Sequence, residues 1–126
     1  MITKVAFIAH PTKDLKRSMK FFRETLGMTE TAVYGDHWAE YQAADGTTVA
    51  VDTFAPKFNE AAGPYLALET DDIAAEVERL KAAGVEILHE PWANTDKEDK
   101  EVCKMAFLRD PEGHSFMLHE IAPHRA

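Results

Sequence analysis

Asp52, Glu69 and His119 are the side chains of this sequence whose types best suit chemistry. An imidazole with two carboxylates can take up and return a proton near neutral pH, or offer nitrogen and oxygen ligands to a divalent cation. Their placement gives a reason to group them. Asp52 follows Gly46, and His119 follows Gly113, by the same number of positions. Each glycine closes an acidic turn, Asp45-Gly46 in one case and Asp110-Pro111-Glu112-Gly113 in the other. Glu69 shares a strand face with Tyr65, because side chains alternate along a strand. The same residues also allow a plain reading, a hydrogen-bonded pair near strand ends.

The other candidates are weaker. His10 and His89 sit at strand ends, His37 in a turn and His124 in the tail, and no H-x-x-x-H or C-x-x-C spacing exists. Ser18 and Ser115 have no neighbouring base in the pattern, and no Gly-rich phosphate cradle is present. Cys103 lies in an apolar strand pattern and reads as a buried, inert thiol.

The elements that must position these residues occur twice. Asp14-Leu15 opens a helical pattern that stops at Leu26-Gly27, and Asp72-Ile73 opens another that stops at Ala83-Gly84. The aspartates suit N-caps and the glycines C-terminal stops. Leu15, Met19, Phe22 and Leu26 predict one buried stripe, and Ile73, Val77 and Leu80 another. Strands are expected at 2–9, 29–34, 38–43 and 47–54, with Pro11 interrupting the first. The second set is 65–69, 85–88, 102–108 and 114–121, with 91–101 as a long polar connection. Trp92 then stands at the edge of that loop, placed to act as a lid. The expectation is one α+β domain over 1–126. It comprises two tandem β-α-β-β-β modules, about 1–55 and about 65–122, joined by 56–64.

Composition bounds the partners. The chain has 126 residues, 45% of them hydrophobic, and a formal net charge of −8. That balance argues against nucleic acid, which requires clustered Lys and Arg. No apolar run suits a membrane span and no signal peptide is read. A lone cysteine excludes an internal disulfide, so a reducing cytoplasm is expected.

With these residues in view, the chain resembles the vicinal oxygen chelate (VOC) superfamily of glyoxalases, bleomycin-resistance proteins and ring-cleaving dioxygenases. Asp14-Leu15, Ser18, Phe21-Phe22 and Leu26-Gly27 match its first signature, with Phe22 where tyrosine is usual. Asp110-Pro111-Glu112-Gly113-His114 matches its second. The resemblance implies a curled, trough-like sheet with helices on the convex face, and usually a homodimer. Catalytic members hold a divalent metal with four His or carboxylate ligands. The corresponding positions here are Phe7, Ala50, Tyr65 and Met117, none a usual ligand for a hard cation.

A metal-free pocket for a small organic molecule is therefore the expected site, with no cofactor. Its expected lining includes Phe7, Trp38, Tyr41 and Phe54 from the first module and Tyr65 from the start of the second. Trp92, Met105, Phe107, Met117 and His119 join from the second. Glu40 and Asp52 would favour a cationic ligand. The alternative is a glyoxalase-like lyase or dioxygenase whose divalent metal is held by a displaced Asp52, His119 and Glu69 site. A trough filled by its own side chains would instead make an accessory domain.

Overall fold

The computed structural model describes residues 1–53 and 63–126. Phe54 and most of the expected joint lie outside the described residues. The chain is α+β, with two β-α-β-β-β modules in tandem. In the first, β1 (Ile2–Pro11) leads to α1 (Leu15–Lys20) and a π-helical turn (Phe21–Thr25). Then come β2 (Thr29–Tyr34), β3 (Trp38–Gln42) and β4 (Thr48–Asp52). The second repeats the plan with β5 (Tyr65–Thr70), α2 (Ile73–Ala82) and β6 (Glu86–Thr95). It ends with β7 (Glu101–Arg109), β8 (Ser115–Ile121) and a short 3-10 turn at Pro123–Arg125. Strand order is β2-β3-β4-β1 in the first module and β5-β8-β7-β6 in the second. The outer pairs are antiparallel, while β1–β4 and β5–β8 are parallel. Two compact units are distinguished, Phe7–Tyr65 on one hand and Met1–Ala6 with Leu66–Ala126 on the other.

Both helices start as the sequence predicts. Asp14 and Asp72 have extended backbones, and each carboxylate accepts the amide three residues on, from Arg17 and Ala75, at 3.1 Å. Each helix exits through a left-handed glycine, Gly27 at φ 68° and Gly84 at φ 88°. Ile73 and Val77 are buried against Ala106, Leu108 and Leu118, with Leu80 beside them. Leu15 and Phe22 pack on Ala39, Tyr41 and Val51, flanked by Met19.

Leu26 departs from its expected stripe and is 50% exposed. The cause is the π turn: Leu26 N donates to Phe21 O at 2.9 Å, an i→i+5 bond. Leu26 caps this turn, and Gly27, at φ 68°, turns the chain away after it.

Several strand boundaries also differ. β1 continues to Pro11, which pairs with Asp52, and Thr12 N takes the next ladder bond to Asp52 O at 2.8 Å. Pro11 is the last residue of its strand, where a missing N–H costs little. β4 ends at Asp52. The largest difference is β6, which runs through Pro91 and Trp92 to Thr95. Trp92 is thus a strand residue opposite Met105, not the edge of a loop. Pro91 is accommodated because β6 is the last strand in its sheet and its register shifts between His89 and Trp92. The connection shrinks to 96–100, where Asp96 Oδ1 accepts from Glu98 N at 2.9 Å and Lys100 N at 3.0 Å.

Candidate functional site

Strand alternation divides each module's sheet into a helix-facing side, which is core, and a helix-free side. In the second module the helix-facing side carries Ala106, Leu108 and Leu118. The opposite side therefore carries Met105, Phe107, Met117 and His119. Register aligns them in rows. One row runs Trp92, Met105, His119, Glu69 across β6, β7, β8 and β5. The next runs His89, Phe107, Met117, Ala67. The rings of Trp92 and Phe107 stack at 6.0 Å and 21°, and His89 meets Trp92 edge-on at 4.4 Å. Trp92 Nε1 donates to Asn94 Oδ1 at 3.1 Å.

Glu69 and His119 sit at the end of the first row. His119 Nδ1 lies 2.7 Å from Glu69 Oε1, and Ile121 N donates to Glu69 Oε2 at 2.8 Å. Glu69 is 8% exposed and His119 5%. Burial alone would raise the Glu69 pKa. The hydrogen bonds from His119 and the Ile121 amide, aided by the charges of His119 and Lys4, outweigh it and hold the carboxyl below its ordinary range. Glu69 is therefore an anion. An anionic carboxylate only accepts hydrogen bonds, so His119 Nδ1 must be the donor.

The first module has the same division. Ala39, Tyr41 and Val51 face α1, so Trp38, Glu40, Ala50 and Asp52 face the other way. Phe7 meets Trp38 edge-on at 5.5 Å, and Trp38 Nε1 donates to Glu40 Oε2 at 2.9 Å. Trp38 is paired with Asp52, which is wholly buried. Tyr65 OH donates to Asp52 Oδ2 at 3.0 Å. Burial and then the charge of Asp52 and this bond push the Tyr65 hydroxyl well above its ordinary pKa, so it stays a donor.

These faces gather most of the expected lining, in two sets. Phe7, Trp38, Glu40, Asp52 and Tyr65 belong to one unit, and Glu69, Trp92, Met105, Phe107, Met117 and His119 to the other. Tyr41 is a correction: its ring stacks on Phe22 under α1, and its hydroxyl donates to Glu30 at 2.9 Å. One position separates it from Glu40, and that alone turns it to the core side. Sequence reasoning missed two carboxylate contacts, one half-buried and one buried. Glu30 is the partner of Tyr41, and Glu76 is 1% exposed within α2. The place of Glu76 beside Ile73 and Val77, one helical turn along, was the available signal.

The family's metal positions do not fit a hard cation. Phe7, Ala50, Tyr65 and Met117 offer hydrocarbon, a phenol that is a committed donor, and a thioether. Among the described residues, no three or more His, Cys, Asp or Glu side chains group to hold a metal ion.

Residues 4–118 match the sequence pattern of the Glyoxalase/Bleomycin resistance protein/Dioxygenase superfamily. The chain belongs to this superfamily. A probable lactoylglutathione lyase, chloroplastic, from Arabidopsis thaliana is 29% identical over 131 residues, 95% of this chain. The chain spans only 36% of that relative's length. A superfamily member from Vibrio splendidus has the same fold at TM-score 0.65 and 18% identity, covering 97% of this chain and 100% of that one. A Streptomyces coelicolor methylmalonyl-CoA epimerase variant, solved with 2-nitronate-propionyl-CoA, aligns at TM-score 0.66 and 18% identity, covering 97% and 99%.

Proposed function

We propose that this superfamily member is a metal-independent small-molecule-binding protein of the bleomycin-resistance type. One observation carries the reading. The helix-free face of the second module places Trp92, Phe107, Met105 and Met117 around the buried Glu69–His119 pair, while no carboxylate or imidazole stands at the family's ligand positions. An apolar, aromatic surface with a few fixed polar groups suits a flat organic ligand. The face of the first module, with Phe7, Trp38 and the Asp52–Tyr65 pair, has the same character. Met1, Val5 and Leu66, exposed and apolar on one unit, support the homodimer, and the lone Cys103 thiol supports a reducing cytoplasm. Among the described residues no helix is long and apolar enough to cross a membrane.

The test is a thermal-shift screen of planar aromatic compounds against protein kept in chelator, with Trp92→Leu and Trp38→Leu alongside. Ligand-dependent stabilisation that survives chelator and weakens in a tryptophan variant is expected. Stabilisation that appears only after a divalent ion is restored would overturn the reading. It would favour the lyase or dioxygenase alternative through Asp52, Glu69 and His119.

A further inference from the structure

We propose that the outer side of α1 is a docking surface for anionic lipid, by which the protein attaches to a membrane surface without spanning it. The inference is independent of the ligand-binding reading above.

The acidic balance of the chain hides one basic stretch. Lys13, Lys16, Arg17, Lys20 and Arg23 fall close together, with only Asp14 and Glu24 among them. Leu15, Met19 and Phe22 turn one side of this helix to the core, so the basic residues hold the opposite side, and all of them are exposed. Arg23 is tied to Glu24 and Glu30. The other four make no ion pair among the described residues. The corresponding helix of the second module differs. In α2, Arg79 and Lys81 are bound to Glu76, Glu78 and Glu90. Local stability does not account for the α1 stripe. Lys16 and Arg17 stand in the first turn, where the helix dipole favours carboxylates, and that turn holds no acidic residue. Lys16 and Lys20, four positions apart, are a like-charge pair that weakens the helix.

The kind of partner follows from what flanks the cations. Phe21 and Leu26, on the same helical segment, are 48% and 50% exposed. A bilayer surface with anionic headgroups attracts Lys and Arg and takes apolar side chains at the headgroup level. The outward side of a helix is convex, which suits a broad surface better than a peptide that needs a groove. Nucleic acid would use the cations but leave Leu26 without a role. The acidic remainder of the chain is no bar, because at physiological salt charges more than about 8 Å away are largely screened.

The experiment is co-sedimentation of the full chain with vesicles of phosphatidylcholine alone, or of phosphatidylcholine and phosphatidylserine in equal parts, at low and at high salt. Affinity for the anionic vesicles should exceed that for the neutral ones by about tenfold or more, and fall steeply in high salt. Lys16→Glu/Lys20→Glu should lower it by at least about tenfold, and Phe21→Ser by about threefold. Lys97→Glu/Lys100→Glu makes the same change in net charge at exposed positions of the other unit, and should lower it by less than about twofold. Equal affinity for the two kinds of vesicle, or equal loss in the two charge variants, would overturn the proposal. Binding of single-stranded RNA without vesicle binding would overturn it in favour of nucleic acid. Self-association lost in Lys16→Glu/Lys20→Glu, without vesicle binding, would overturn it in favour of a second copy of the chain.

Discussion

The two modules repeat one scaffold but place different chemistry at the same point of it. Ala9 pairs with Ala50 and Pro11 with Asp52 in the first, as Ala67 pairs with Met117 and Glu69 with His119 in the second. Pro11 thus stands where Glu69 does, and Asp52 where His119 does. A proline offers no side-chain acceptor, so Asp52 is met by a hydroxyl, that of Tyr65. In the second module the carboxylate comes from β5, and an imidazole meets it. Duplication kept the capped helices, the parallel strand pairs and the glycine turns. It let the buried polar pair diverge, from a neutral donor on a carboxylate to an ionisable donor on one.

The strongest way to break this contrast is to remove the imidazole. His119→Leu leaves the Glu69 carboxylate buried without the hydrogen bond from His119. A loss of about 3 kcal/mol or more is expected in chemical denaturation. Adding Glu69→Gln should restore a large part of it. The matching change at the partner of Asp52, Tyr65→Phe, should cost less, about 1–3 kcal/mol, because a hydroxyl rather than a charge partner is lost. Equal costs would remove the contrast.

The helices sharpen the comparison through pH. Glu76 in α2 corresponds to Ser18 in α1, each the fourth residue after its capping aspartate. Ser18 Oγ bonds Thr12 Oγ1 at 2.6 Å, a neutral contact. Glu76 is bound by Arg79 at 2.6 Å and 3.1 Å and by the Met1 amine at 2.9 Å. The hydrogen bonds from Arg79 and then from the amine lower its pKa from 4.5 to about 2. A depressed carboxyl pKa stabilises the fold above the unfolded value, and that stability is lost as pH falls through the folded one. The account expects a loss of melting temperature between pH 4.5 and about 2, reduced in Glu76→Gln and untouched in Ser18→Ala. Glu69, lowered as well, contributes in the same direction. The smallest effects are at the caps. Asp14→Ala and Asp72→Ala should each cost about 1 kcal/mol, and by similar amounts, since the two caps share one geometry.

Much of this was legible in the sequence wherever local physics decides. The aspartate caps, the glycine exits and the Ile73–Val77 stripe depend on residues within a few positions of each other, and all are present. What the sequence hid was set by partners far along the chain. Trp92 looked like a loop residue because Pro91 and polar neighbours surround it, yet pairing with β7 carries the strand past the proline. Leu26 kept helical spacing, but the π turn changed the period beneath it. The ring of Tyr41 suits a pocket by type, but alternation along β3 turns it to the core side. Asp52 and His119 were found through the repeat. Their actual partners, Tyr65 and Glu69, come from opposite ends of one strand, and β5 places both.

The central claim is that the chain works without a bound divalent metal. The most direct test is metal content of protein purified without chelator, followed by melting temperature with added Mn²⁺, Ni²⁺, Zn²⁺ and Fe²⁺. The account predicts substoichiometric metal and no concentration-dependent rise in melting temperature. Stoichiometric metal, with a rise abolished by His119→Ala and Asp52→Ala, would contradict it and make the chain a metal-using member of its superfamily.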